Sequence, residues 1–199
     1  MSIHWSDGTN AIAATASAVA AVAAWFAARR SNTTAETVAR IERDRWHTEL
    51  TPEFDVTATA LGPGTNKASL HITLKKPTGL PGLTKGILRI RDDGYVHQPL
   101  GFVTQEMIDA TIYGPYRFEP GISGASADGR TVTSRPIGLG DWDKFALERT
   151  LPDHVDQDVW HSTYDNALIR LSIECHADGH KPWHVTYEIA VADPASPQA

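Results

Sequence analysis

ALIRLSIECHADGHKPWHVTYEIAV, residues 167–191, carries a two-residue apolar period twice over. Ala167, Ile169, Leu171, Ile173 and Cys175 form one set; Trp183, Val185, Tyr187, Ile189 and Val191 form the other. Successive side chains of a strand point to opposite faces, so each set marks a buried face of a strand, roughly residues 167–176 and 181–191. The link between them sets the register. A two-residue Asp178-Gly179 turn would oppose Ile173 to His184 and leave the apolar sets on opposite faces. A three-residue loop, Ala177-Asp178-Gly179 with Gly179 left-handed, instead pairs His176 with His180, Ile173 with Trp183 and Leu171 with Val185, and the apolar faces coincide. This register is the expectation, with Trp183 buried and His184 outside.

The same period recurs upstream. Phe54, Val56, Ala58 and Ala60 form one alternating run; Leu70, Ile72 and Leu74 alternate with His71, Thr73 and Lys75; Leu88 and Ile90 alternate with Arg89 and Arg91. Turn residues separate the runs: Gly62-Pro63-Gly64, Pro77 through Gly82, and Asp93-Gly94. Residues 104–112 suit a short helix with Thr104 as its cap and Glu106 in its first turn. Between Gly114 and Gly140 the sequence is rich in Gly, Pro and Ser, and it reads as a long irregular connection of the kind that often carries function. Six or seven short antiparallel strands predict a mainly β fold, an antiparallel β-sandwich over residues 51–191 with a disordered tail at 192–199.

Ahead of this lies a different composition. Residues 11–28 contain no charge, Pro or Gly, are nearly all Ala or Val, and end in Trp25-Phe26 before Arg29-Arg30. At 1.5 Å per residue such a run spans about 27 Å against a hydrocarbon core of about 30 Å. Trp5 and Trp25 stand twenty residues apart, one at each expected interface. The short tail 1–10 has no Lys or Arg, which disfavours a cleaved signal peptide, and the basic pair after the run places the C-terminal domain in the cytoplasm. The expectation is a single-pass cell-membrane helix; the competing reading packs this Ala-rich segment in a soluble or membrane-bound assembly. Ala16, Ala20 and Ala24 permit close helix approach, so a homo-oligomer is an option. Residues 29–50 continue as a juxtamembrane helical stalk, in which Ala35, Val38 and Ile41 make only a thin apolar stripe.

Charge narrows the function classes. The formal net charge is −6, and from Trp46 onward thirteen basic side chains face twenty acidic ones, about −7. Such a surface opposes the phosphate neutralisation that nucleic-acid binding requires, and no nucleic acid is expected as a partner. The single Cys175 forms no internal disulfide and fits a reducing compartment.

Two clusters invite a chemical reading. Cys175, His176, His180 and His184 fall within ten residues, but the expected register points Cys175 to the core and sets His184 about 13 Å along the strand from His180, leaving two ligands where zinc wants three or four. Asp153, His154, Asp156, Asp158, His161 and Asp165 form the second; His154, Asp156, His161 and Asp165 would be the working set of a metal-dependent hydrolase. Their spacing matches no calcium loop, and the commoner explanation is an acidic turn or short helix. Asp92-Asp93-Gly94, Asp128-Gly129 and Asp141 read as turn residues. There is no nucleophile elbow, P-loop or dinucleotide fingerprint, and Gly121-Ile122-Ser123-Gly124 is a flexible loop. No residue is assigned a catalytic, cofactor or metal role, and no cofactor is expected.

Trp25-Phe26-Ala27-Ala28-Arg29-Arg30-Ser31-Asn32, the run IERDRWHTELTPEF from Ile41 to Phe54, Gly114-Pro115-Tyr116-Arg117-Phe118 and Gly179-His180-Lys181-Pro182-Trp183 together resemble a group of small actinobacterial proteins with no assigned activity. The resemblance runs from Trp25 to Val191. It implies that an Ala-rich helix and a β domain belong together, and nothing about chemistry. The leading expectation is a membrane-anchored, non-enzymatic interaction protein that binds another protein through the loops and aromatic edges of its β domain.

Overall fold

In the computed structural model the described residues are 25, 29–31, 35–62, 64–95, 97, 102–152 and 154–193. The protein divides into two units, Met1–Thr48 and Glu49–Ala199. Most of the expected membrane segment, residues 11–24 and 26–28, lies outside the described residues, as do residues 1–10 and 194–199 of the two tails. Among the described residues no helix is long and apolar enough to cross a membrane. In the first unit Trp25 and residues 29–31 are helical, with the Arg29 guanidinium 5.2 Å from the centre of the Trp25 ring. Residues 35–49 form helix α1, on which Val38 and Ile41 are exposed.

The second unit is mainly β, and its strands follow the alternation of the sequence. The strands are β1 (Glu53–Ala60), β2 (Lys67–Lys76), β3 (Gly82–Leu83), β4 (Lys85–Ile90), β5 (Tyr116–Phe118), β6 (Thr131–Thr133), β7 (Ile137–Gly138), β8 (Trp142–Arg149), β9 (Ile169–His176), β10 (Trp183–Ile189) and β11 (Val191–Ala192). They make a five-stranded sheet in the order β11-β1-β2-β8-β5, a four-stranded sheet β10-β9-β4-β6, and the small pair β3-β7. Pairing is antiparallel except where β11 joins β1 in parallel, Ala58 opposite Val191. On β2 the residues Ala68, Leu70, Ile72 and Leu74 are buried while the residues between them are not. From β9 Ile169, Leu171, Ile173 and Cys175 do the same. These inward rows, with Phe118, Phe145, Leu147, Leu88 and Trp183, join in one buried cluster that draws on both large sheets. Each such aliphatic side chain stabilises the fold by about 1.5–3 kcal/mol relative to exposure.

The closing hairpin keeps the expected faces and shifts the expected register. Trp183 lies opposite Cys175, Val185 opposite Ile173 and Tyr187 opposite Leu171, two residues away from the pairing of Trp183 with Ile173. Pro182 explains the shift. In the three-residue-loop register it would have to sit inside the ladder without an N–H, whereas here the strand begins just after it. The backbone turns over Ala177–His180, His180 N–H donating to the Ala177 carbonyl at 3.2 Å, with Gly179 at φ +79° as expected. A two-residue slip preserves the side-chain faces, so Trp183 and Cys175 are buried and His184 is exposed.

At Ala190 the backbone leaves the four-stranded sheet and enters the five-stranded one as β11, whose last residue, Ala192, pairs with Thr59. Tyr187 ties the same corner: its hydroxyl accepts from the Phe54 N–H at 2.9 Å. The segment from Gly114 to Gly140 is more regular than its composition suggests, for it contributes β5, β6 and β7. Strands of two or three residues are too short to impose a visible period. Gly129 is required there, since at φ +72° a Cβ would stand 2.4 Å from the Phe118 carbonyl oxygen.

Candidate binding face

Beyond the main core lies a smaller buried cluster of Ile108, Tyr113, Trp160 and Tyr164. Two short helices build it. Helix α2 (Gln105–Ala110) starts where Thr104 Oγ1 accepts from the Met107 N–H, and buries Ile108. Helix α3 (Gln157–Tyr164) starts at Asp156, whose carboxylate accepts from the N–H groups of Asp158 and Val159. Trp160 and Tyr164 are four residues apart and so share the buried side of α3, with ring centres 4.4 Å apart. Tyr113 packs against Trp160 at 5.9 Å, and the His97 ring stacks on Tyr113 at 3.5 Å, nearly parallel.

A hydrogen-bond network ties this cluster to the end of β4. The Tyr164 hydroxyl donates to Asp93 Oδ2 at 2.5 Å, while Asp93 Oδ1 accepts from the Tyr95 N–H at 2.9 Å and lies 3.1 Å from His97 Nε2. Asp92 Oδ1 accepts from the Tyr113 N–H, and Asp92 Oδ2 pairs with Arg130 at 2.7 Å. Burial works to raise the Asp93 carboxyl, but the donors from Tyr164, Tyr95 and His97 outweigh it, and the group stays below the ordinary carboxylate range. Burial, reinforced by Asp93, pushes the Tyr164 phenol well up. Burial also raises Tyr113, with Asp92 and Asp93 adding to the effect.

Three adjoining hollows open on this region. The first, of about 460 Å³, is bordered by Phe102, Met107, Thr111 and His154. The second, of about 410 Å³, shares His154 and is lined by Val103, Ile108, Val159 and Trp160. The third, of about 330 Å³, shares His97, Tyr113 and Tyr164 with the second and reaches Arg91, Leu168 and Arg170. Around them Phe102 is 78% exposed, Tyr95 77% and Val159 58%, whereas Trp160 at the centre is 5% exposed. Phe102, Tyr95 and Val159 are thus exposed apolar side chains bordering hollows beside a buried aromatic cluster.

The residues singled out from the sequence are divided. His161 Nδ1 lies 2.9 Å from Asp165 Oδ1, which also pairs with Arg149; this trio borders a separate polar hollow with Thr65, Asn66 and Tyr116. The His161 hydrogen bond is the main cause that lowers the Asp165 carboxyl, and Arg149 adds to it. His154 sits instead beside Thr111 Oγ1 at 3.5 Å, and Asp156 is the α3 cap. Among the described residues no group of three or more His, Cys, Asp or Glu side chains is arranged to hold a metal ion. Cys175 faces the core, and burial pushes its thiol up to about 12. His180 packs on Trp183, and His184 is exposed opposite Glu174. The sequence reading took Asp93 for a turn residue and missed His97, Tyr113, Trp160 and Tyr164; only the i,i+4 spacing of Trp160 and Tyr164 signalled a shared face. No family profile and no curated protein of similar sequence matches this protein.

Proposed function

We propose that this protein is a membrane-tethered, non-enzymatic interaction protein whose cytoplasmic β-sandwich holds a partner protein on the face bordered by α2, α3, Tyr95 and His97. The observation that carries the reading is the apolar rim of Phe102, Tyr95 and Val159 around the Trp160 cluster. Large aromatic anchors over dry pockets supply most of the energy of protein recognition. Glu106, Asp109, Asp156 and Asp158 lie on the two helices or at their caps, so the complementary partner segment carries apolar residues flanked by Lys or Arg. The tether is supported by the apolar run at 11–28 and by the basic pair Arg29-Arg30. The metal-dependent hydrolase reading has less support, because His154 and Asp156 border one hollow and His161 and Asp165 another.

A photo-crosslinking residue at position 102 or 159 of the full-length protein should trap one discrete partner in cells; Val159→Asp should abolish capture through position 102, and Phe102→Asp capture through position 159, without unfolding the domain. The same crosslinker at the exposed Trp142 serves as control. Equal trapping from all three positions would remove the docking face. Fractionation tests the tether: the full-length protein should sediment with membranes and a variant lacking residues 1–30 should not. A second reading, self-assembly through the helical segment, is favoured by the exposed Val38 and Ile41 three residues apart on α1. It would show as a trapped second copy and as an oligomer in detergent.

A further inference from the structure

On the outer face of the four-stranded sheet two arginines are set against each other. β4 and β9 run antiparallel with Ile90 opposite Leu171, and the ladder continues one step further, Arg91 N–H donating to the Arg170 carbonyl at 2.8 Å. Arg91 and Arg170 are therefore directly opposite, on the side away from the buried Ile90 and Leu171. Like charges in that position repel unless something neutralises them. Arg170 has a counter-charge in Glu188, whose carboxylate is 3.5 Å from its Nε. Arg91 forms no ion pair among the described residues, and its Nε is shielded from solvent without a hydrogen-bond partner.

The nearest carboxylates in the sequence are already engaged. Asp92 is held by Arg130 and the Tyr113 N–H, and Asp93 by Tyr164, His97 and the Tyr95 N–H. Both arginines line the hollow of about 330 Å³, whose other walls include Tyr95, Tyr113, Tyr164 and Leu168. The hollow is thus lined by one guanidinium that forms no ion pair among the described residues, with aromatic side chains and the hydrogen-bonded Asp93 carboxylate as neighbours. We propose that this cleft binds an organic monocarboxylate, its carboxylate on the Arg91 guanidinium and its apolar or aromatic body against Tyr95, Tyr113 and Leu168. The planar guanidinium fork matches a carboxylate in a bidentate arrangement. The Asp93 carboxylate in the same hollow disfavours a second negative charge on the ligand. The inference does not depend on the docking reading: a cleft that takes a carboxylate beside a surface that traps no partner leaves it standing, and the reverse outcome leaves the docking face standing.

The full-length protein is titrated by calorimetry with phenylacetate, phenylacetamide, acetate and phenyl phosphate. Phenylacetate should bind saturably, and the neutral amide and the ringless acetate should each be at least about tenfold weaker, as expected for loss of a charge-assisted pair or of the ring contact. Arg91→Gln should weaken phenylacetate about tenfold or more while leaving the unfolding temperature of the unliganded protein unchanged or raised, because the like-charge opposition is relieved. Glu188→Gln, which frees Arg170, should tighten phenylacetate. N-acetylphenylalanine separates the sources: tighter binding than phenylacetate assigns the site to the C-terminal carboxylate of a peptide, and weaker binding assigns it to a small free acid. The proposal is overturned by the absence of saturable binding, by equal affinity in Arg91→Gln, by equal binding of the amide, or by a preference for phenyl phosphate. A marked fall in the unfolding temperature of Arg91→Gln with unchanged phenylacetate affinity would make Arg91 a structural residue.

Discussion

Trp183 faces the main core from the first position of β10, directly across from Cys175, and its side chain is almost wholly buried. Removing it leaves a cavity bordered by strands of a fixed sheet, which can relax only in part. Trp183→Ala should therefore destabilise the domain by about 3–5 kcal/mol in urea unfolding, while His184→Ala, on the outer face, should stay within about 0.5 kcal/mol. At Asp93 the sign of the pH effect follows from its surroundings. Its folded pKa lies below the unfolded value of about 3.9, so the stabilisation it brings is fully present above that pH and is lost as pH falls through the folded value. Asp93→Asn should lower stability at neutral pH and flatten the acid limb of a urea midpoint plotted against pH. An acid limb as steep as that of the parent protein would show that other carboxylates carry it.

At the scale of elements, α3 is eight residues long and carries the two central aromatics of the candidate face. A helix so short depends on its ends and on packing, because nucleation is unfavourable and few internal hydrogen bonds follow it. Asp156→Ala removes the cap that satisfies two N–H groups and should lower stability by about 1 kcal/mol, with Asp156→Ser recovering most of the loss. Hydrogen exchange would localise the effect to α3, and exchange that quickened uniformly across the sheets would contradict it. The acidic cluster that drew attention in the sequence as a set of metal ligands is explained in part here. Asp156 and Asp165 are the two caps of this helix, and Asp158 lies in its first turn.

At the scale of the molecule, the described residues of the main core and of the aromatic cluster all lie from Leu50 onward. A fragment of residues 49–199 should fold alone and unfold in a single transition with the midpoint of the full-length protein. A lower midpoint or a second transition would show that the first unit supports the β domain.

The period-two runs at Leu70–Leu74, Leu88–Ile90 and Ile169–Cys175 determined strands and inward faces by themselves, because the side-chain period of a strand is a local property of the backbone. Thr104 as a helix cap and the left-handed Gly179 were legible for the same reason. The hairpin register was not, although Pro182 held the information: choosing between two registers with the same faces depends on which N–H groups the ladder needs. The three short strands between Gly114 and Gly140 exist because β3, β4 and β8 offer them partners. The candidate face and the arginine cleft were decided by tertiary structure alone. Arg91 and Arg170 are 79 residues apart in the sequence, as their numbers show. Only the antiparallel pairing of β4 with β9 sets one guanidinium against the other, and it does so because their apolar neighbours Ile90 and Leu171 must turn inward together.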